Sequence, residues 1–239
     1  MKETTLEDIK KEELEFARGQ VKNRFVEPSQ QVAGYESIKI ELIYNPNYKD
    51  FINAAYYVAL TTWDQTGSDL VSSESLEERE EIVKYMLKKR QISAIMEMPV
   101  FVFRMTGVPR SMTHQIVRHR TMSFSQQSFR VSSCYPDPVR LPNNLSDNLK
   151  LKYIKSVENI RDLYREMINN GISMEQARNI MPMGTTTKII MVTNFKSLKD
   201  YVKARTLNIA QDEHTYITEL ILKELEYKSY GFYELLVNL

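Results

Sequence analysis

Arg118-His119-Arg120-Thr121-Met122-Ser123-Phe124-Ser125-Gln126-Gln127-Ser128-Phe129-Arg130 is the stretch on which the reading of this chain turns. Cationic side chains flank a short polar segment. Burying it would strip charges of water without partners, so it belongs at a ligand or solvent face. Arginine forks hold phosphate oxygens with paired hydrogen bonds. Ser123, Ser125 and Ser128 add hydroxyl donors, and Gln126 and Gln127 offer amide edges that match a nucleobase. A turn in this segment also presents successive backbone N–H groups to an anion.

Upstream, Gly107-Val108-Pro109 reads as a turn that starts a helix of about ten residues, with Pro109 in the first turn, where a missing N–H costs least. Arg110, His114 and Arg118 then share one helical face. No acidic residue lies between Arg104 and Arg130. The cluster needs an external anion or acids from elsewhere in the fold. A solvated face or an ion-pair network is the plain alternative. Continuation of the cluster past the helix favours a ligand, and a phosphorylated one, without indicating a reaction.

Around this centre the chain alternates irregularly between strand and helix patterns. Residues 1–34 read as an N-terminal extension, partly helical, and 35–239 as one domain. Tyr35–Tyr44 alternates as a first strand, with Ile38, Ile40 and Leu42 on one face. Residues 49–64 form an apolar-faced helix through Phe51, Ala54, Val58 and Leu60. Ser75 with Glu78 predicts a capping box that opens a helix over 76–90. Residues 99–105 read as a strand. Residues 148–169 form a long amphipathic helix with Leu151, Ile154, Val157, Ile160, Tyr164 and Met167 on or near one face. Ser173 with Gln176 predicts a second capping box and a short helix up to Pro182. A strand follows over 186–192, then a last helix from Ser197 to about Leu225. This order predicts an α+β fold of mixed helices and antiparallel sheet, not a doubly wound one. No GxGxxG occurs, so no Rossmann site is expected.

Composition narrows the function classes. The 239 residues carry 32 Lys+Arg against 31 Asp+Glu, a net charge of +1 that gives no general case for nucleic-acid binding. Strong salt-dependent association with RNA or DNA would revive that reading. One cysteine, Cys134, allows no intrachain disulfide. With three histidines and that cysteine, no metal site is expected. No apolar stretch reaches transmembrane length, and the charged start lacks a signal-peptide core. The expectation is a cytoplasmic protein.

Other candidates stand apart from the central run. Arg178 lies beside Met181-Pro182, and Arg205 lies near an apolar helix face. A half-buried arginine needs partners, and a salt bridge with Glu213 or an acid on another helix stands equal to a ligand. Asn194 reads as a turn or cap residue. His119, between two arginines, is expected to be neutral. His114 could orient Arg118 or satisfy a backbone carbonyl, and His214 reads as an ordinary helix residue. Cys134 has no evident activating partner and reads as structural.

The motif RHR-x7-S, formed by Arg118, His119, Arg120 and Ser128, resembles the signature of the flavin-dependent thymidylate synthases. The resemblance extends over roughly residues 38–226, through IKIELI, VFVFR, VPRSMTHQIVRHRTMSFSQQSFR, GISMEQARNIMP and NFKSLKDYVKARTLNIAQDE. It implies a fold of that family and a homotetramer with active sites shared between subunits. It implies reductive methylation of deoxyuridine monophosphate (dUMP) to dTMP, with FAD, NADPH as reductant and 5,10-methylenetetrahydrofolate as carbon donor. By the same resemblance Arg110, Gln115, Gln126, Gln127, Ser128, Arg130 and Arg178 would bind the nucleotide. Arg118, His119, Arg120, Gln126 and Asn194 would bind the flavin. Arg205 would polarise the uracil ring and, with Ser128, belong to the catalytic set.

The chain departs from the family pattern on the flavin and folate side. The segment Gln91–Met98 has no histidine, with Met98 where one is expected. Val131 stands for a common tyrosine and Ile209 for a common histidine. The alternatives are a specialised paralogue that modifies C5 of another uridine nucleotide, or a nucleotide-binding protein without turnover.

Overall fold

Strand pairing builds the centre of the fold. The computed structural model describes residues 11–12, 15, 31–63, 74–134, 137–205 and 212–239. Its strands are β1 (Val32–Ala33), β2 (Lys39–Tyr44), β3 (Val100–Pro109), β4 (Ser123–Gln126), β5 (Val139–Arg140) and β6 (Thr186–Asn194). Four form an antiparallel sheet in the order β2-β3-β6-β4. The remaining two pair in parallel, Val32 opposite Val139 and Ala33 opposite Arg140. The helices are α1 (Tyr48–Trp63), α2 (Leu76–Arg90), α3 (Ser93–Glu97), α4 (Arg110–Ile116), α5 (Asp147–Asn169), α6 (Met174–Ala177), α7 (Phe195–Arg205), α8 (Asp212–Lys228) and α9 (Tyr230–Asn238). The mixed α+β expectation holds. The N-terminal extension falls almost wholly outside the described residues.

By their packing the described residues divide into two units. The first takes the described residues within 1–39, 105–116 and 125–189, the second those within 40–104, 117–124 and 190–239. In the first, α5 and α6 close over Phe129, Cys134, Tyr164, Ile168, Met174 and Ala177. The buried face of α5 runs through Val157, Arg161, Tyr164 and Ile168. Val157 and Tyr164 are buried as expected, Arg161 and Ile168 join them, Ile154, Ile160 and Met167 are half-buried, and Leu151 is exposed. Arg161 keeps its place by donating to the Asp137 carbonyl at 2.9 Å. Gly107 adopts a φ of +73°, and a Cβ there would stand 2.5 Å from the Ser37 carbonyl oxygen. Only glycine fits this approach without strain. The expected turn at 107–109 is instead the end of a strand that runs through Pro109.

In the second unit Phe232 joins α9 to the aromatic core. Its ring lies 4.9 Å from Phe51, and 5.0 Å from both Tyr48 and Phe101. Burial of such rings is a large apolar contribution. The α1 face is turned from the expected one: Ile52, Ala55, Tyr56 and Ala59 are buried beside Phe51, and Ala54 is exposed. Ser75 and Glu78 form the expected capping box. Ser173 does not: its side chain makes no cap bond, and its carbonyl receives the Gln176 and Ala177 amides. The expected last helix begins earlier, at Phe195, and is described as α7 and α8, with 206–211 outside the described residues.

Candidate functional site

The predicted site residues fall into two groups. Arg110, Gln115, Gln126, Gln127, Ser128, Arg130 and Arg178 lie in the first unit, and Arg118, His119, Arg120, Asn194 and Arg205 in the second.

In the first unit, backbone bonds from Arg110 N to Thr185 O (3.0 Å) and from Ser111 N to Met183 O (2.9 Å) fix the start of α4. The Arg110 guanidinium lies over the Phe129 ring, 4.9 Å from its centroid, and donates to the Gln127 carbonyl at 3.4 Å. Burial pushes Arg110 below the usual guanidinium range, and the Arg178 charge pushes the same way. Arg178 donates from Nε to the Glu175 carbonyl at 3.2 Å. Among the described residues neither Arg110 nor Arg178 forms an ion pair. Arg130 does, with Glu175 at 2.8 Å. An acid from elsewhere in the fold therefore compensates one cation of this group and leaves two like charges near each other. That pair suits an anion.

The polar segment is more ordered than the expected turn. Ser123–Gln126 is a strand, and Gln127 N continues the pairing by donating to Lys188 O at 3.0 Å. Gln126 donates from Nε2 to Thr113 Oγ1 at 2.9 Å. Gln127 donates from Nε2 to Asp137 Oδ2 at 3.0 Å and to Ser132 Oγ at 3.3 Å. Both amide groups are thus oriented by the protein. Ser128 is exposed; its Oγ accepts from Arg130 N at 3.3 Å. Gln115 is half-buried in α4, and His114 is exposed. The helix ends at Ile116, so Arg118 does not continue the face of Arg110 and His114.

In the second unit Arg118 and Arg120 are exposed and His119 is half-buried. Met122 N donates to His119 O at 3.0 Å, which closes a tight turn. Arg205 Nη2 lies 3.0 Å from His119 Nε2. A guanidinium only donates, so Nε2 carries a lone pair. Burial first, and the Arg205 charge second, hold His119 below the ordinary histidine value. The neutral form was expected, but Arg205 is the arginine responsible, not the two flanking ones. No ion pair between Arg205 and Glu213 is present among the described residues. Asn194 caps α7, with Oδ1 accepting from Ser197 N at 2.8 Å.

Sequence reasoning missed His214. It is fully buried, with Nδ1 3.2 Å from the Tyr201 hydroxyl. Burial, then Arg205 and His119, push it down to about 4. The only available signal was two polar residues on apolar helical faces. Cys134 is the structural residue expected, with burial pushing its thiol up to about 11. Met98 and Val131 are exposed, and Ile209 lies outside the described residues. Among the described residues no cluster of side chains could hold a metal ion, and no helix is long and apolar enough to cross a membrane.

This α+β arrangement is shared with solved structures. Thymidylate Synthase X from Helicobacter pylori, solved with FAD and dUMP, superposes with a TM-score of 0.63 over 83% of this chain and 99% of that one, at 18% identity. The UMP/dUMP methylase PolB from Streptomyces cacaoi, bound with 5-Br dUMP, superposes with a TM-score of 0.69 over 87% and 97%, at 16% identity. The thymidylate synthase complementing protein family matches residues 41–228, and the chain belongs to that family. A flavin-dependent thymidylate synthase of Pyrococcus furiosus is 36% identical over 139 residues, 56% of each chain. One of Thermococcus onnurineus is 29% identical over 185 residues, 74% of each. The match thus spans little more than half the length of the first relative.

Proposed function

We propose that this chain is a flavin-dependent methyltransferase that converts dUMP to dTMP, working in the cytoplasm as a homotetramer. The observation that carries the reading is the pair Arg110 and Arg178, two neighbouring cations without an ion-pair partner among the described residues. A nucleotide phosphate would neutralise both through charge-assisted hydrogen bonds. Gln115, Ser128 and Arg130 would complete the nucleotide contacts, with Arg130 exchanging Glu175 for phosphate. The fixed amides of Gln126 and Gln127 would orient the nucleotide by their remaining acceptors.

Arg205 fits the electrostatic role. Its Nε is buried without a partner among the described residues, and its Nη2 is held by His119. An acceptor on the pyrimidine would satisfy that donor, and negative charge developing on the ring would strengthen the bond. Ser128 would belong to the catalytic set with Arg205. Arg118, His119, Arg120, Gln126 and the Nδ2 end of Asn194 would hold FAD, which supplies the redox chemistry when bound. The two exposed arginines suit its diphosphate. NADPH would be the reductant and 5,10-methylenetetrahydrofolate the carbon donor.

A second reading is C5 modification of another uridine nucleotide. The likeness to a UMP/dUMP methylase favours it. Both readings meet one test: the visible spectrum of FAD-reconstituted protein, freed of unbound flavin and titrated with dUMP or UMP. Retained flavin whose spectrum shifts saturably with dUMP is expected. A shift with UMP alone would favour the second reading. Folded protein that retains no flavin would overturn both.

A further inference from the structure

Behind Arg205 stands a chain of side chains that the proposed chemistry does not use. The His119 ring packs edge-to-face on Tyr201, with centroids 5.1 Å apart and planes at 79°. Tyr201 is fully buried, and its hydroxyl lies 3.2 Å from His214 Nδ1. His214 is fully buried as well, and its Nε2 has no partner among the described residues. The next turn of α8 anchors the histidine: Thr218 Oγ1 donates to His214 O at 2.8 Å. Thr215 Oγ1 donates to Arg205 O at 3.4 Å, which ties the end of α7 to the same turn.

A buried polar pair with one orphan ring nitrogen is a costly substitute for apolar packing. We propose that Tyr201 and His214 are positioning residues that fix the plane of the His119 ring, so that its Nε2 lone pair holds Arg205 with the guanidinium ready for a ligand acceptor. Among the described residues the titratable groups that face His119 are Arg205 and Tyr201 on α7 and His214 on α8, and its chain neighbours Arg118 and Arg120 are exposed. No described carboxylate forms an ion pair with Arg205 that could replace His119. If the ring turned or gained a proton at Nε2, two donors would face each other.

The inference rests on the functional reading for the role of Arg205 alone, and its test does not need turnover. The chain has three histidines, so 15N-histidine NMR of the full, ligand-free protein resolves each ring. In the parent, His119 is expected as a single neutral tautomer protonated at Nδ1. In Tyr201→Phe, which keeps the aromatic face and removes the hydroxyl, the His119 signals should broaden into a tautomer mixture. Its titration should move up toward the free value of about 6.5. His214→Gln, which keeps a hydrogen-bonding partner for Tyr201, should preserve the parent tautomer, and His214→Leu should lose it. If the methylation reading holds, turnover of Tyr201→Phe falls roughly 10- to 100-fold through misplacement of the guanidinium. An unchanged tautomer and titration of His119 in folded Tyr201→Phe and His214→Leu would overturn the inference, whether or not flavin and nucleotide bind.

Discussion

The Arg110–Arg178 pair and the Arg205–His119 pair place similar cations in different surroundings. The first pair lies beside a surface segment, rests on the Phe129 face and backbone carbonyls, and leaves like charges close together. The second sits against buried α7 and α8 side chains, where neutral rings replace carboxylates. The fold thus keeps a guanidinium available in two ways. Beside the surface segment it leaves the charge for an anion to neutralise. At the equally half-buried Arg205 it supplies a lone pair from a histidine whose partial burial disfavours the protonated form.

The largest effect is expected at Arg205. Arg205→Ala should lower kcat by about 100-fold or more, the loss typical of one donor aimed at developing charge. Steady-state assays with dUMP should show kcat falling further than KM rises. Equal losses in binding and rate would assign Arg205 to ground-state binding instead. Arg178→Ala should weaken dUMP binding roughly 10- to 100-fold, as expected for a lost charge-assisted hydrogen bond, and leave deoxyuridine binding nearly unchanged. Calorimetric titration with both ligands checks this, and an equal loss for deoxyuridine would remove the phosphate from Arg178.

Acid should separate the two regions next. The folded-state value of His214, about 4, lies below the ordinary 6.5, so the unfolded chain binds more protons between them. The stabilisation is complete above about 6.5 and is lost as pH falls toward 4. His119 is shifted in the same direction. The Tm should therefore drop across that window, and His214→Leu should flatten the drop. Glu175→Gln should change stability least, by at most about 1 kcal/mol, because its pair with Arg130 is exposed. It should nevertheless tighten dUMP binding by freeing Arg130, while a large fall in Tm would show the pair to be structural.

The two regions were not equally legible. Arg110 and Arg130 stood out because a run without acids shows in local sequence, whereas Arg178 stands apart from that run with Glu175 three residues before it. The bond between Arg205 and His119 spans 86 positions, and that between Tyr201 and His214 spans 13 across an undescribed stretch. Nothing local signals either one. Helix α2 was legible because its capping box lies within its own first turn. Strand β4 was not, because serine and glutamine have little strand preference and pairing beside β6 imposes the conformation. Helix α9 was missed for a related reason: Phe232 is held by aromatic rings far away in the sequence. The RHR-x7-S resemblance identified the family where periodicity could give only an α+β class.

Product analysis by mass spectrometry tests the methylation directly. The full chain would be supplied with FAD, NADPH, dUMP and 5,10-methylenetetrahydrofolate labelled with 13C at the methylene carbon. The expected product is dTMP carrying the label in its C5 methyl group, formed only when flavin is present. Flavin and dUMP both bound, with dUMP returned unlabelled and unchanged, would contradict it.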